Sequence, residues 1–180
     1  MPHIQIDNDL PGIGGLLRQR PDTGGLINTM ADALLRGPMS LTPGERELIA
    51  AYTSERNETP FCAGSHSAFA AAQLEGGKEL VQAVLIDPES APLTPRIRAL
   101  IRIAAEVQEP VHVLADETIA AAREAGADDA QIHDTVLVAS AFCMINRYVT
   151  CLGTDLPESP AYYEEAARRI IGEGYAATLT

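Results

Sequence analysis

The chain has 180 residues, of which 46% are hydrophobic and 21% are charged, so it can bury a core and is too apolar for a disordered segment. Its net charge of −12 disfavours nucleic acid and anionic membrane surfaces as partners, because both repel an acidic protein. With 4% aromatic residues and no tryptophan, the core depends on Ala, Leu, Ile and Val, which favours packed helices over aromatic-rich strands.

The N-terminal 25 residues contain several prolines and glycines and predict an irregular arm laid over the domain. Helical spacing of apolar residues begins at Leu26 and continues to Leu35, before Gly37-Pro38 ends it. We therefore divide the chain into an N-terminal arm, 1–25, and a single all-helical domain, 26–180.

Strong helix starts mark the next two elements. Thr42 followed by Pro43 and Glu45 forms a capping box that opens a helix to about Asn57. Thr59 is then expected to cap the following helix. Further helices are predicted over 78–86, 94–110, 116–125, 128–152 and 159–172, the longest of them in the middle of the bundle. Since no segment alternates with period two, the fold prediction is an all-α, compact multi-helix bundle with an irregular N-terminal arm.

Chemistry in this sequence centres on Cys62 and His66. If Thr59 is the N-cap, Cys62 occupies the third helical position, where unpaired backbone N–H groups and the helix dipole favour a thiolate. His66 lies one turn further on the same face, within reach of the thiol proton. The ordinary alternative is a small buried cysteine beside a histidine without a catalytic role.

The stretch ERELIAAYTSERNETPFCAGSH resembles the signature of the alkylhydroperoxidase and carboxymuconolactone decarboxylase family. Members carry a Glu, a Ser-x-x-Asn turn, and Cys-x-x-Cys with a His four positions after the second cysteine. The matching positions here are Glu47, Ser54, Asn57, Cys62 and His66.

A late helix with an Asn-Arg pair, here Asn146-Arg147, is also similar to the family, and the long lead-in resembles its peroxidase-related branch. The resemblance extends from about Leu26 to Leu152. It implies the alkylhydroperoxidase-like helical fold and a homo-oligomer.

The resemblance implies an enzyme, a thiol peroxidase with an antioxidant role, in which Cys62 attacks, His66 moves the proton and Glu47 orients the imidazole. Thr59 replaces the first motif cysteine, so the family's two-cysteine cycle cannot operate and a single reactive cysteine is expected. Its partners would be a small organic hydroperoxide and an external thiol reductant, with Cys143 and Cys151 as candidate internal thiols. No cofactor and no metal are expected.

Two other functions stay open from the sequence. One is a decarboxylase-like lyase with His66 as general acid or base and Arg147 or another cation on an anionic substrate. The other is a non-catalytic helical homologue. Three cysteines and the absence of a basic-then-apolar leader pattern favour free thiols in the cytoplasm, and the apolar run over 136–145 is too short to span a bilayer.

Overall fold

The computed structural model describes residues 2–110 and 113–176, and this part of the chain forms nine α-helices and no strands. The helices are α1 Gly12–Gln19, α2 Pro21–Arg36, α3 Pro43–Arg56, α4 Pro60–Ala71, α5 Gly77–Ile86, α6 Pro95–Val107, α7 Asp116–Glu124, α8 Asp129–Cys151 and α9 Ala161–Glu173. The all-α prediction is confirmed. Within the described ranges, no helix is both long enough and apolar enough to cross a membrane.

Threonine side chains cap α3, as the sequence predicted, and α6, but not α4. Thr42 and Glu45 form the reciprocal capping box of α3, and the Thr94 hydroxyl accepts from the N–H of Ile97 at the start of α6. Thr59 occupies the N-cap position of α4, but its side chain makes no cap hydrogen bond. Its hydroxyl instead lies 2.9 Å from the Thr150 hydroxyl of α8, so the expectation that Thr59 caps α4 is wrong.

Much of the N-terminal segment expected to be irregular is helical. Residues 12–19 form α1, and α2 begins at Pro21 and runs across residue 25. The Asp155 carbonyl accepts from the N–H of Gly12 (3.0 Å), which fixes the start of α1. A Cβ on Gly12, which has φ +58°, would lie 2.2 Å from the Phe61 ring. Gly12 is therefore required by its backbone conformation and by the nearby Phe61 ring, although in the sequence it looks like a helix breaker.

The centre of the bundle is α3, which packs against α2, α4, α5, α6 and α8. The prediction that the longest helix occupies the middle is wrong, because α8 leaves Leu137 and Met144 exposed. In contrast, α3 buries even the charged residues Arg46 and Glu47. An ionised side chain in that position needs polar partners, and the partners of Glu47 define the candidate site.

Replacing Thr42 with Ala removes the capping box of α3 and is expected to lower the free energy of unfolding by about 1 kcal/mol. Urea unfolding followed by circular dichroism measures it. Thr29→Ala is the matched control, since Thr29 is also exposed but its hydroxyl bonds the Gly25 carbonyl inside α2. A Thr42→Ala variant as stable as Thr29→Ala would show that the cap contributes nothing.

Candidate active site

A cavity of about 210 Å³ lies between α1, α2, α4, α8 and α9, and Cys62 and His66 are both part of its wall. Most of the wall is apolar, with contributions from Leu10, Ile13, Leu17, Ile27, Phe61, Phe69, Phe142, Ile145 and Ile170. A cavity walled by hydrocarbon with a few polar groups has the composition of a small-molecule site.

The helical pair α3–α4 places the acid–base residues. A turn at 57–59 joins the two helices, with Glu58 in the left-handed region at φ 50°. The pair therefore folds back on itself and brings Glu47 against His66, whose Nδ1 lies 2.6 Å from Glu47 Oε2. Glu47 is 0% exposed and His66 is 7% exposed, so water does not screen this contact.

The contact with Glu47 determines which nitrogen of His66 can act as a base. A carboxylate accepts, so Nδ1–H donates to Glu47, and in the neutral imidazole the lone pair is then on Nε2. Among the described residues no group hydrogen-bonds Nε2. The Phe142 ring packs edge-on against the imidazole at 4.5 Å between centroids, which holds its plane. The contact of Nδ1 with Glu47 thus orients the His66 ring, and Nε2 is left without a hydrogen bond to any described residue.

Tyr175 is a member of the site that the sequence analysis missed. Its hydroxyl donates to Glu47 Oε1 (2.7 Å) and lies 3.5 Å from His66 Nδ1. Burial, and then the negative charge of Glu47, raise the pKa of Tyr175 well above its usual value, so the phenol stays protonated and can donate. Both oxygens of the Glu47 carboxylate therefore have a partner.

The turn after α9 carries Tyr175 into the site. Gly174 has φ 83°, and the N–H of Tyr175 donates to Asp32 Oδ1 of α2 (2.8 Å). The only sequence signal for this turn is a glycine just past a helix end. Nothing in the spacing connects residue 175 to residue 47, so the contact is set by tertiary packing.

Cys62 is in the cavity wall and 2% exposed, but it is not the acidic thiol that the sequence predicted. Burial raises the pKa of Cys62 to about 12, while a hydrogen bond with Asn146 lowers it. Desolvation therefore outweighs the favourable position near the start of α4. In the described residues Cys62 and His66 share the cavity without a direct hydrogen bond between them.

The polar motif residues around Cys62 form a buried network. Asn146 Nδ2 donates to the Ser54 hydroxyl (3.0 Å), and Asn57 Nδ2 donates to Asn146 Oδ1 (3.0 Å). Asn57 Nδ2 also lies 3.6 Å from the sulfur of Cys143. This network ties the α3–α4 turn to α8 and holds the Asn146 side chain beside Cys62. Cys143 is half-buried and Cys151 is exposed.

Arg147, suggested from the sequence as a substrate cation, is not in the cavity wall. It is exposed, and its guanidinium donates to the Cys143 carbonyl of its own helix (2.8 Å). The arginines that line the cavity are Arg18 and Arg169. Over residues 2–110 and 113–176, no three His, Cys, Asp or Glu side chains cluster closely enough to hold a metal ion.

A comparison with family models finds one match. Residues 21–106 match the model of the Carboxymuconolactone decarboxylase family. The chain is similar to this family over that segment. The matched segment contains Glu47, Cys62 and His66, while Tyr175 and Arg169 lie beyond it. No curated protein is similar enough in sequence to count as a match.

Two solved structures share the fold and extend the likeness beyond the matched segment. One, described as an alkylhydroperoxidase AhpD core and an uncharacterized peroxidase-related protein from Ralstonia eutropha JMP134, is 26% identical. The aligned region covers 88% of this chain and 82% of the Ralstonia chain, with a TM-score of 0.76. The other is an uncharacterized peroxidase-related protein from Silicibacter sp. TM1040 and is 25% identical. The aligned region covers 86% of this chain and 78% of the Silicibacter chain, with a TM-score of 0.75. The resemblance seen in the sequence is confirmed.

Alkylation of Cys62 by iodoacetamide should be slow at pH 7 and should accelerate about tenfold per pH unit up to at least pH 10, because the thiolate reacts and the pKa is raised to about 12. Peptide mass spectrometry separates it from exposed Cys151, which serves as the internal control. A Cys62 rate that reaches its plateau below pH 8 would contradict the raised pKa.

Removing the Tyr175 hydroxyl in Tyr175→Phe leaves Glu47 Oε1 buried without that donor. The expected loss is about 1–3 kcal/mol in the free energy of unfolding, measured by urea denaturation. Tyr163→Phe is the control, since the half-buried Tyr163 hydroxyl makes no hydrogen bond among the described residues. Equal stability of the two variants would mean that the Tyr175–Glu47 bond does not stabilise the fold.

Proposed function

We propose that this protein is a thiol peroxidase that reduces a small organic hydroperoxide with Cys62 as its single reactive cysteine. The observation that carries the proposal is the convergence of Cys62 and His66 on one cavity, with the His66 imidazole oriented by Glu47 at 2.6 Å. The match of residues 21–106 to the Carboxymuconolactone decarboxylase family and the similarity to two structures described as peroxidase-related support it.

The reaction would balance as follows within the cavity. The Cys62 sulfur attacks the terminal oxygen of the hydroperoxide, the O–O bond breaks, and Cys62 becomes a sulfenic acid. His66 Nε2 takes the thiol proton and passes it to the leaving alkoxide, which departs as an alcohol. An external thiol then displaces water to form a mixed disulfide, and a second thiol releases Cys62 and leaves as the oxidised disulfide.

The raised pKa of Cys62 makes the base indispensable to this reaction. A thiol that burial keeps protonated is a weak nucleophile, so its proton must leave as the sulfur attacks. Glu47 would stabilise the imidazolium that forms in between, and the Tyr175 hydroxyl would hold the other carboxylate oxygen. Thr59 offers no second thiol at the position of the first motif cysteine, and its hydroxyl is engaged by Thr150.

A decarboxylase-like lyase is the second candidate, favoured by a specific observation. Glu47, His66 and Tyr175 form a buried acid–base group that contains no sulfur. In that reaction His66 would act as general acid or base on a small substrate, and Cys62 would be part of the wall only.

The variants Cys62→Ser and His66→Asn test the proposal through hydroperoxide consumption with a dithiol as reductant. Cys62→Ser should abolish turnover, because an alcohol cannot be oxidised in its place. His66→Asn should lose about 100-fold or more, the usual contribution of a positioned base. Cys151→Ser, at an exposed cysteine outside the cavity, is the matched control and should keep its activity.

A Cys62→Ser variant that consumes hydroperoxide as fast as the parent would overturn the peroxidase proposal. A lyase would instead tolerate Cys62→Ala and fail with His66→Ala when decarboxylation of a lactone acid is measured by CO₂ release. A chain that is inactive in both assays would support the non-catalytic alternative.

A further inference from the structure

Two arginine side chains line the cavity, although the chain as a whole has only 13 basic residues against 25 acidic ones. Arg18 of α1 and Arg169 of α9 both line the cavity that holds Cys62. Among the described residues no Asp or Glu lines the cavity, and Glu47 lies behind His66. The cavity of an acidic protein thus has a cationic lining.

Neither arginine has its charge paired by a residue that the structure describes. Among the described residues, no carboxylate forms an ion pair with Arg18 or Arg169, and no group hydrogen-bonds their guanidinium groups. Other arginines of the same chain are paired in this way, for example Arg96 with Glu45 and Arg102 with Glu89. With so many carboxylates in the chain, two unpaired guanidinium groups at one cavity leave a place for an external anion.

The size and wall of the cavity limit the rest of the ligand. Its volume of about 210 Å³ exceeds the roughly 150 Å³ of an engineered apolar cavity that binds benzene. It lies below the about 300–1,000 Å³ of pockets for drug-sized ligands. The apolar body of the ligand is therefore one ring or a short alkyl chain, in contact with Phe61, Phe142 and Ile145.

We propose that this cavity binds small organic carboxylates, with the apolar body inside and the carboxylate held by Arg18 and Arg169. Guanidinium groups present planar donor pairs that match a carboxylate, and both side chains are exposed, which places them at the mouth. The binding part stands on the cavity alone. The further statement, that the hydroperoxide substrate carries such a carboxylate, rests on the proposed function.

Binding without turnover tests the first part. Phenylacetate and its neutral analogue phenylacetamide are titrated into the full chain by isothermal calorimetry. Phenylacetate should bind at least tenfold more tightly, and Arg18→Gln and Arg169→Gln should each weaken it about tenfold without affecting the amide. Inorganic phosphate at matched ionic strength should not displace phenylacetate, because it has no apolar body to fill the cavity.

Arg168→Gln is the matched control. Arg168 is adjacent on α9, is also exposed and carries the same charge, but it lies outside this cavity. It should bind phenylacetate as the parent does. Equal affinity for the acid and the amide, absence of binding of either, or equal losses in Arg168→Gln and Arg169→Gln would each overturn the proposal, the last because net charge alone would then explain the effect.

The kinetic test separates this inference from the proposed function. Cumene hydroperoxide is compared with its ring-carboxylated analogue, and the two cavity arginines should lower KM for the carboxylated compound while kcat stays similar. Loss of the KM difference in Arg18→Gln and Arg169→Gln supports the carboxylate site. Phenylacetate binding should persist in Cys62→Ser, because the carboxylate site does not use the sulfur. A parent protein that binds phenylacetate but consumes no hydroperoxide would support the binding site and overturn only the peroxidase function.

Discussion

The buried contact between Glu47 and His66 is the constraint on which the rest of the structure depends. Glu47 is 0% exposed in the central helix α3, and a carboxylate there must have polar partners. His66 of α4 and Tyr175 after α9 supply them at 2.6 Å and 2.7 Å. Satisfying this one side chain therefore requires α4 and the turn after α9 to pack against α3, which also closes one side of the cavity.

The same exclusion of water has opposite effects on the two reactive groups. It strengthens the orientation of the His66 ring by Glu47, because the hydrogen bond does not compete with solvent. It also raises the pKa of Cys62 to about 12, since a thiolate loses more hydration than the start of α4 returns. Under the proposed peroxidase function, the thiol proton would therefore leave during the reaction rather than before it.

Thr59, at the position of the first motif cysteine, and Asn146 both make hydrogen bonds between helices. The Thr59 hydroxyl bonds Thr150 of α8, and Asn146 of α8 bonds Ser54 of α3 while it contacts Cys62. Both contacts attach α8 to the α3–α4 pair. The residue at the position of the first motif cysteine therefore makes an interhelical hydrogen bond in this protein.

The sequence by itself determined the helices from α3 onward, because caps such as Thr42 and Thr94 are local. It also determined the contact of Glu47 with His66, because their 19-residue interval fits two helices joined by a short turn. Tertiary structure decided the rest. The helical state of 12–19 depends on contacts with Phe61 and Asp155, and Tyr175 reaches Glu47 across 128 positions. The pKa of Cys62 depends on burial, which is the sum of contacts from several helices and cannot be read from the residues of α4 alone.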